Sequence, residues 1–274
     1  MKDPALIDVL IPTCNRPGAL AVVLTALSAQ NFERFRIVVS DQSDDEGVFS
    51  TPEVLAVIRL LRAHEVPVLT LRNMPRRGMA QHRAALLANA TAPYCLFLDD
   101  DVIIENDLLQ RLYGAIREQQ CGFVGSALHG LSYCDEQRPH EQHIEFWEGP
   151  VSPEWLAPDS AAWDRHHLHS AANLFHVQSQ LKVTRDATRC YRVAWVGGCV
   201  LFDTDKLREA GGFDFWHELP REHCGEDVLA QIRVMARYGG CGIIPSGAYH
   251  MELPTTIKDR QFDAPRMLRP AGSA

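Results

Sequence analysis

What this chain lacks narrows its identity first. Its eight cysteines (14, 95, 121, 134, 190, 199, 224 and 241) are scattered, with no two at a CxxC spacing. That removes support for a zinc knuckle or a thioredoxin-like motif. Cys95 and Cys199 lie in apolar stretches and read as small core residues. Positive charge is in deficit, with 27 Lys and Arg against 35 Asp and Glu, for a formal net charge of −8. Such a balance favours solubility and argues against nucleic acid as the main partner. No apolar run approaches membrane-spanning length, and Met1-Lys2-Asp3-Pro4 has no apolar signal core. The expectation is a cytoplasmic protein without a transmembrane segment, with peripheral membrane association left open. Neither a GxGxxG nor a GxxxxGKS/T fingerprint follows the first apolar stretch, which leaves dinucleotide and P-loop readings unsupported.

What is present is a regular alternation. The 274 residues, 46% hydrophobic, suffice for one large α/β domain or one domain with a sizeable insertion. Strands are expected over 7–11, 35–39, 66–71 and 94–98. Helices should fall between them, at about 17–30, from the Ser50-Thr51-Pro52-Glu53 cap onward, and over 78–90. A βαβαβαβ order implies a parallel sheet with right-handed crossovers. After a helix near 106–118 and a strand near 123–128 the periodicity dissolves. Residues 130–189 are rich in His, Trp, Pro and Asp, and a stretch that long reads as a functional loop or insertion. Order resumes with a strand over 192–202 broken by Gly197-Gly198, a short helix near 204–210, and a strong helix opened by Gly225-Glu226-Asp227. A last short strand near 242–245 precedes Ala248-Tyr249-His250-Met251. The tail from Pro254 has no apolar period and is expected to be mobile.

The fourth strand, Tyr94-Cys95-Leu96-Phe97-Leu98, runs straight into Asp99-Asp100-Asp101. A buried strand lifts such acids to the carboxyl edge of the sheet, where open α/β sheets bind ligands. Three clustered carboxylates repel one another, and a divalent cation is a common counter-charge. The plain alternative is an acidic helix start, because Asp is favoured near helix N-termini.

Four stretches together resemble the GT-A glycosyltransferases, most closely the inverting family 2 group. They are Ile11-Pro12-Thr13-Cys14-Asn15-Arg16, Ile37 through Ser40-Asp41-Gln42-Ser43-Asp44-Asp45, Leu98-Asp99-Asp100-Asp101, and Gly211-Gly212-Phe213-Asp214 followed by Gly225-Glu226-Asp227. The resemblance covers about 6–128 and 192–251. It implies a GT-A, Rossmann-like α/β fold with a mostly parallel central sheet flanked by helices. A nucleotide-binding half would occupy about 6–128, a long irregular insertion about 130–190, and an acceptor and catalytic half about 192–251, with the mobile tail at 254–274. The chain departs from the family at Ser40 and Gln42, where Asp and Gly are common, and at Ala84, where Asn usually follows the arginine. It lacks the QxxRW motif and the membrane helices of polysaccharide synthases, which favours a single sugar addition.

What the resemblance implies is transfer from a nucleoside-diphosphate sugar, uridine- or thymidine-linked, to a hydroxyl-bearing acceptor: a saccharide, a lipid-linked molecule or a small molecule. Asp101 would bind Mn2+ or Mg2+, Asp99 would reach the ribose or the metal shell, and His250 would complete the shell. Asp227 would be the general base, with Glu226 contacting acceptor hydroxyls. Thr13, Asn15 and Arg16 would grip the nucleotide, Asp41 would read the base edge, and Arg83 would reach the base or diphosphate, with Arg76 and Arg77 in reserve. Gly198 and Trp195 would lie beside the sugars.

The middle segment carries His140, His143, His166, His167, His169 and His176, but neither nearby cysteines nor an HExxH pattern supports a dedicated metal site there. Trp147, Trp155 and Trp163 would stack on sugars or pack the insertion. Three rival readings are weighed. A DxD phosphatase places its acids on the first strand, a nucleotidyltransferase opens with a glycine-rich loop, and a non-catalytic sugar- or nucleotide-binding relic keeps the scaffold alone.

Overall fold

Alternating side chains divide the interior into two layers. On the first strand Ile7, Val9 and Ile11 enter one apolar cluster while Leu10 enters the other. Leu96 and Leu98 likewise face one side, with Cys95 and Phe97 on the other. That period of two is what a strand covered on both faces requires. The computed structural model describes residues 3–44, 47–255 and 260–268.

The first half runs β1 (Ile7–Thr13), α1 (Pro17–Ser28), β2 (Phe35–Asp41), α2 (Pro52–Ala63), β3 (Val68–Arg72), α3 (Met79–Ala88) and β4 (Tyr94–Leu98). It continues through β5 (Val102–Ile104), α4 (Leu108–Gln119), β6 (Phe123–Gly125) and β7 (Leu128–His129). The second half holds α5 (Asn173–Leu181), β8 (Arg189–Tyr191), β9 (Cys199–Asp203), α6 (Thr204–Glu209) and α7 (Glu226–Tyr238). It closes with β10 (Gly240–Ile244), β11 (Ala248–His250) and α8 (Ala264–Met267). Prolines at the first turns of α1 and α2 supply the fixed φ that a helix start needs.

The main sheet has the order β3-β2-β1-β4-β9-β6-β10-β8. Strands β3, β2, β1 and β4 are parallel, as the alternation requires, and β6 pairs with β10 in parallel. Strand β9 enters antiparallel between β4 and β6, and β8 closes the edge antiparallel to β10. The expected strand over 192–202 is therefore split: β9 keeps its second half, while 192–198 form a loop at the sheet's active edge. A second sheet, β5-β11-β7, was not visible in the sequence because its strands have only two or three residues. It pairs His250 with Val102 and so brings the end of the chain back beside the three aspartates.

Residues 130–189 are mostly irregular, with a few short turns of 3-10 helix and α5 as the longest regular element. Of the tail, 256–259 and 269–274 lie outside the described residues, as does Asp45 of the second motif. Residues 260–268 are packed where no fixed structure was expected. Cys224 N–H donates to the Phe262 carbonyl, Ala264 N–H returns to the Cys224 carbonyl, and Ala264 is fully buried. Among the described residues no helix is long and apolar enough to cross a membrane.

Candidate active site

Strand ends deliver polar side chains to one cleft of about 910 Å³. Its walls include Thr13 and Arg16 from the end of β1, Asp99, Asp100 and Asp101 after β4, and His250 from β11. Arg83 of α3, Trp195 of the 192–198 loop, and Glu226 and Asp227 at the start of α7 also line it. These residues come from both halves of the chain, so the fold and not sequence proximity brings them together.

The three consecutive acids have different partners. Asp99 Oδ1 accepts from Arg83 Nη2 at 3.0 Å. Asp100 is held by the Thr13 hydroxyl at 2.7 Å and by Arg16 Nη1 at 3.2 Å. Burial pushes the Asp100 carboxyl up to about 6, and its neighbour Asp101 adds to the rise, against the Thr13 and Arg16 contacts. Asp101 Oδ2 meets Arg16 Nη1 at 2.8 Å and lies 3.6 Å from His250 Nε2.

Asp101 and His250 would hold a small divalent cation only with the imidazole proton moved off Nε2, because His250 Nδ1 now accepts the Glu252 N–H. Adjacent oxygen and imidazole ligands on an octahedral ion with bonds of about 2.1 Å sit roughly 3 Å apart, against 3.6 Å between Asp101 and His250 here. Mn2+ and Mg2+ suit such donors. Among the described residues no group of three His, Cys, Asp or Glu side chains surrounds one point. The protein thus offers part of a shell, which diphosphate oxygens and water would complete.

At the other end of the cleft, Arg83 is nearly buried and donates Nε to Glu226 at 3.0 Å while Nη2 holds Asp99. The two carboxylates hold the Arg83 guanidinium above its ordinary pKa, overcoming the burial that opposes its charge. Arg83 is thus a crosslink on the cleft wall from α3 to Asp99 after β4 and to α7. Asp227 is half-buried and faces the cleft. Enclosure by protein, and then the neighbouring Glu226 charge, push its carboxyl up to about 7, with Arg83 pulling the other way.

Three expected site residues do not line the cleft. Asp41 is fully buried, and its carboxylate accepts from Ser43 N–H and hydroxyl, Val48 N–H and Arg72. It shapes the loop after β2, and in this conformation its oxygens are already engaged, with Gln42 facing the cleft beside it. Asn15 is exposed and ties the β1 and β2 loops through Asp44 and Ser43. Gly198 lines a small separate cavity beside Arg83 and Asp227 with φ +70, and a Cβ there would fall 2.7 Å from Leu128 and 3.4 Å from Asp99 Oδ2. The positive φ and the Leu128 side chain of β7 against that position both favour glycine there.

Two supporting residues were invisible in the sequence. His223 is buried, its Nε2 accepts the Ala80 N–H at 3.0 Å, and its Nδ1 pairs with the Pro220 carbonyl. It caps α3 from a distant loop, and nothing about a lone histidine signals that. Gln231 is buried and clamps both the N–H and C=O of Val196 at 2.8 Å. A polar residue on the apolar face of α7 was its only trace.

The histidines of the insertion do not converge on a metal. His166 bonds the Trp163 carbonyl and stacks on Trp195 (4.9 Å, 12°), whereas His169 bonds the Tyr191 hydroxyl. Trp163 lies 4.7 Å from Trp195 and backs that residue where it lines the cleft.

Against this geometry the family comparison is decisive. The model described as Glycosyl transferase family 2 matches residues 8–179. The chain belongs to glycosyltransferase family 2. A relative named uncharacterized glycosyltransferase YfnE, from Bacillus subtilis, is 26% identical over 143 residues, 50% of this chain and 34% of its own. The chain spans about a third of the length of the curated relatives it matches. Among solved structures, S. aureus TarS 1-349 in complex with UDP-GlcNAc superimposes with a TM-score of 0.60 at 16% identity, covering 92% of this chain and 60% of that one. A mannosyltransferase of Pyrobaculum calidifontis in complex with GDP-Man and Mn2+ gives 0.50 at 16%, covering 88% and 57%. The family 2 chain thus has the GT-A fold expected from its motifs.

Proposed function

We propose that this family 2 protein is a metal-dependent inverting glycosyltransferase that moves one sugar from a nucleoside-diphosphate sugar to a hydroxyl acceptor. The observation that carries the reading is the convergence, in one cleft, of the Asp101–His250 pair with a base-competent Asp227. The names of two structural neighbours, one with UDP-GlcNAc and one with GDP-Man and Mn2+, support a nucleotide-sugar donor and divalent metal use. Asp41 gave the sequence a lean toward uridine or thymidine, and its engagement within its own loop weakens that lean.

In this reading Asp227 takes the proton of the acceptor hydroxyl as that oxygen attacks the anomeric carbon. The bond from that carbon to the diphosphate oxygen breaks, its electron pair leaves with the diphosphate, and the configuration inverts. A bound Mn2+ or Mg2+ would offset the charge that develops on the leaving group. Asp101 and His250 would hold it, and Asp99, fixed by Arg83, would face the ribose or the metal's water. Thr13 and Arg16 would border the diphosphate, and Glu226, anchored by Arg83, would orient the acceptor. Trp195, backed by His166 and Trp163, gives the sugar an apolar wall.

The test is a panel of nucleoside-diphosphate sugars and hydroxyl acceptors with Mn2+ or Mg2+, following nucleotide release and product mass. One donor should support release, and Asp227→Asn should abolish transfer while keeping donor binding. Undiminished turnover by that variant would remove the base assignment, and no release from any donor would overturn the reading.

A further inference from the structure

Arg16 occupies the oxygen that a cation would need. Its Nη1 lies 2.8 Å from Asp101 Oδ2 and 3.2 Å from Asp100 Oδ1. The same Asp101 oxygen faces His250 Nε2 at 3.6 Å. Its Nη2 donates to the carbonyl of Pro254, in the segment that follows His250. The backbone of Arg16 is fixed where it precedes Pro17 at the start of α1, but its long side chain, 17% exposed, can turn into the cleft. A dication and a guanidinium at one carboxylate oxygen repel each other, so both cannot hold Asp101 as Arg16 does now.

We propose that Arg16 is the resident counter-ion of the metal site. It neutralises Asp100 and Asp101 while no cation is bound, and an arriving Mn2+ or Mg2+ displaces it. The freed guanidinium then turns to the donor diphosphate, where its planar fork matches phosphate oxygens. This inference rests on the metal-diphosphate reading above. It adds that metal and donor reinforce each other's binding through one side chain.

The test measures Mn2+ binding by the electron paramagnetic resonance signal of the free ion, first with no nucleotide and then with UDP or GDP. Arg16→Gln should bind Mn2+ alone at least about fivefold tighter than the natural protein, and nucleoside diphosphate should add less further tightening. Arg16→Met should shift Mn2+ affinity in the same direction, and Arg16→Lys should stay near the natural value. In EDTA the melting temperature of Arg16→Gln should lie below that of the natural protein, and Mn2+ should close the gap. If the natural protein binds Mn2+ with nucleotide but folded Arg16→Gln and Arg16→Met show unchanged or weaker affinity for Mn2+ alone, the role of Arg16 is overturned and the donor-site reading survives. If no protein binds Mn2+ with either nucleotide, both fall.

Discussion

The two ends of the cleft are built on opposite plans. At the α7 end the charged groups are locked. Arg83 and Glu226 are 7% and 5% exposed, His223 caps α3 from the loop before α7, and Gln231 fixes the backbone at Val196. At the aspartate end Asp99 and His250 are 35% and 36% exposed, around a buried Asp101 that is held by an Arg16 side chain 17% exposed. A base that must meet a hydroxyl in one geometry gains from a support that does not move. A site whose coordination is finished by the ligand itself gains from groups that can be rearranged. The difference separates residues whose loss should harm chemistry and stability from those whose loss should change ligand affinity.

The largest effect should come from Asp227→Asn, which keeps the side chain's shape and removes its basicity. Transfer is expected to fall by about 10²–10⁴-fold, read as kcat for nucleotide release, with little change in donor affinity. An equal loss of donor binding would place Asp227 in the flexible end of the comparison instead. The same residue sets a pH limb. Its carboxyl is raised to about 7, so below that pH it carries a proton and cannot accept another. The transfer rate should therefore rise with pH through neutrality and level off, and kcat/KM against pH is the check. Stability should move the other way. A carboxyl with a raised folded-state pKa contributes most below its unfolded value near 4, and loses that contribution as the pH rises through about 7.

Next in size is Arg83→Met. Removing one partner of a buried ion pair leaves the other charge uncompensated, typically at about 3–5 kcal/mol. Glu226 is buried, but Asp99 is partly open to water, so the lower end applies. Thermal unfolding should show a melting point lower by about 10 °C. The pH limb should also move upward, because a charge that pulls the Asp227 proton off has gone. A variant as stable as the natural protein would show that the α7 end is not locked through this residue.

Gln231→Leu should follow, stranding the N–H and C=O of Val196 at a cost of about 1–3 kcal/mol in denaturant unfolding. Its effect on turnover should be smaller than that of Asp227→Asn, because it acts through the 192–198 loop and touches no reacting atom.

Legibility in the sequence divides along the same line. The parallel half could be read because β1, β2 and β4 are buried on both faces, which leaves an apolar run ending in polar residues. The aspartates and His250 stood at strand ends and Glu226-Asp227 at a helix start, in a familiar order, and the structure gathers them into one cleft. What the sequence hid was tertiary. The antiparallel β9 is as apolar as a parallel strand, and the short β5 and β11 carry no periodicity at all. Asp41 was marked as a base contact by the resemblance, whereas the loop after β2 and Arg72 engage both of its oxygens here. Arg83 was marked as a nucleotide contact by the resemblance, and its ion pairs to Asp99, 16 residues on, and to Glu226, 143 residues on, come from the tertiary fold. No local pattern announces that.

The claim that the cleft is a metal-assisted donor site is tested most directly by calorimetric titration of UDP, GDP and dTDP, each with and without Mn2+. One nucleoside diphosphate should bind with Mn2+ and lose most of its affinity without it, and Asp101→Asn should abolish the metal-dependent part. Binding of none of them, or equal binding with and without the metal in both proteins, would contradict the account.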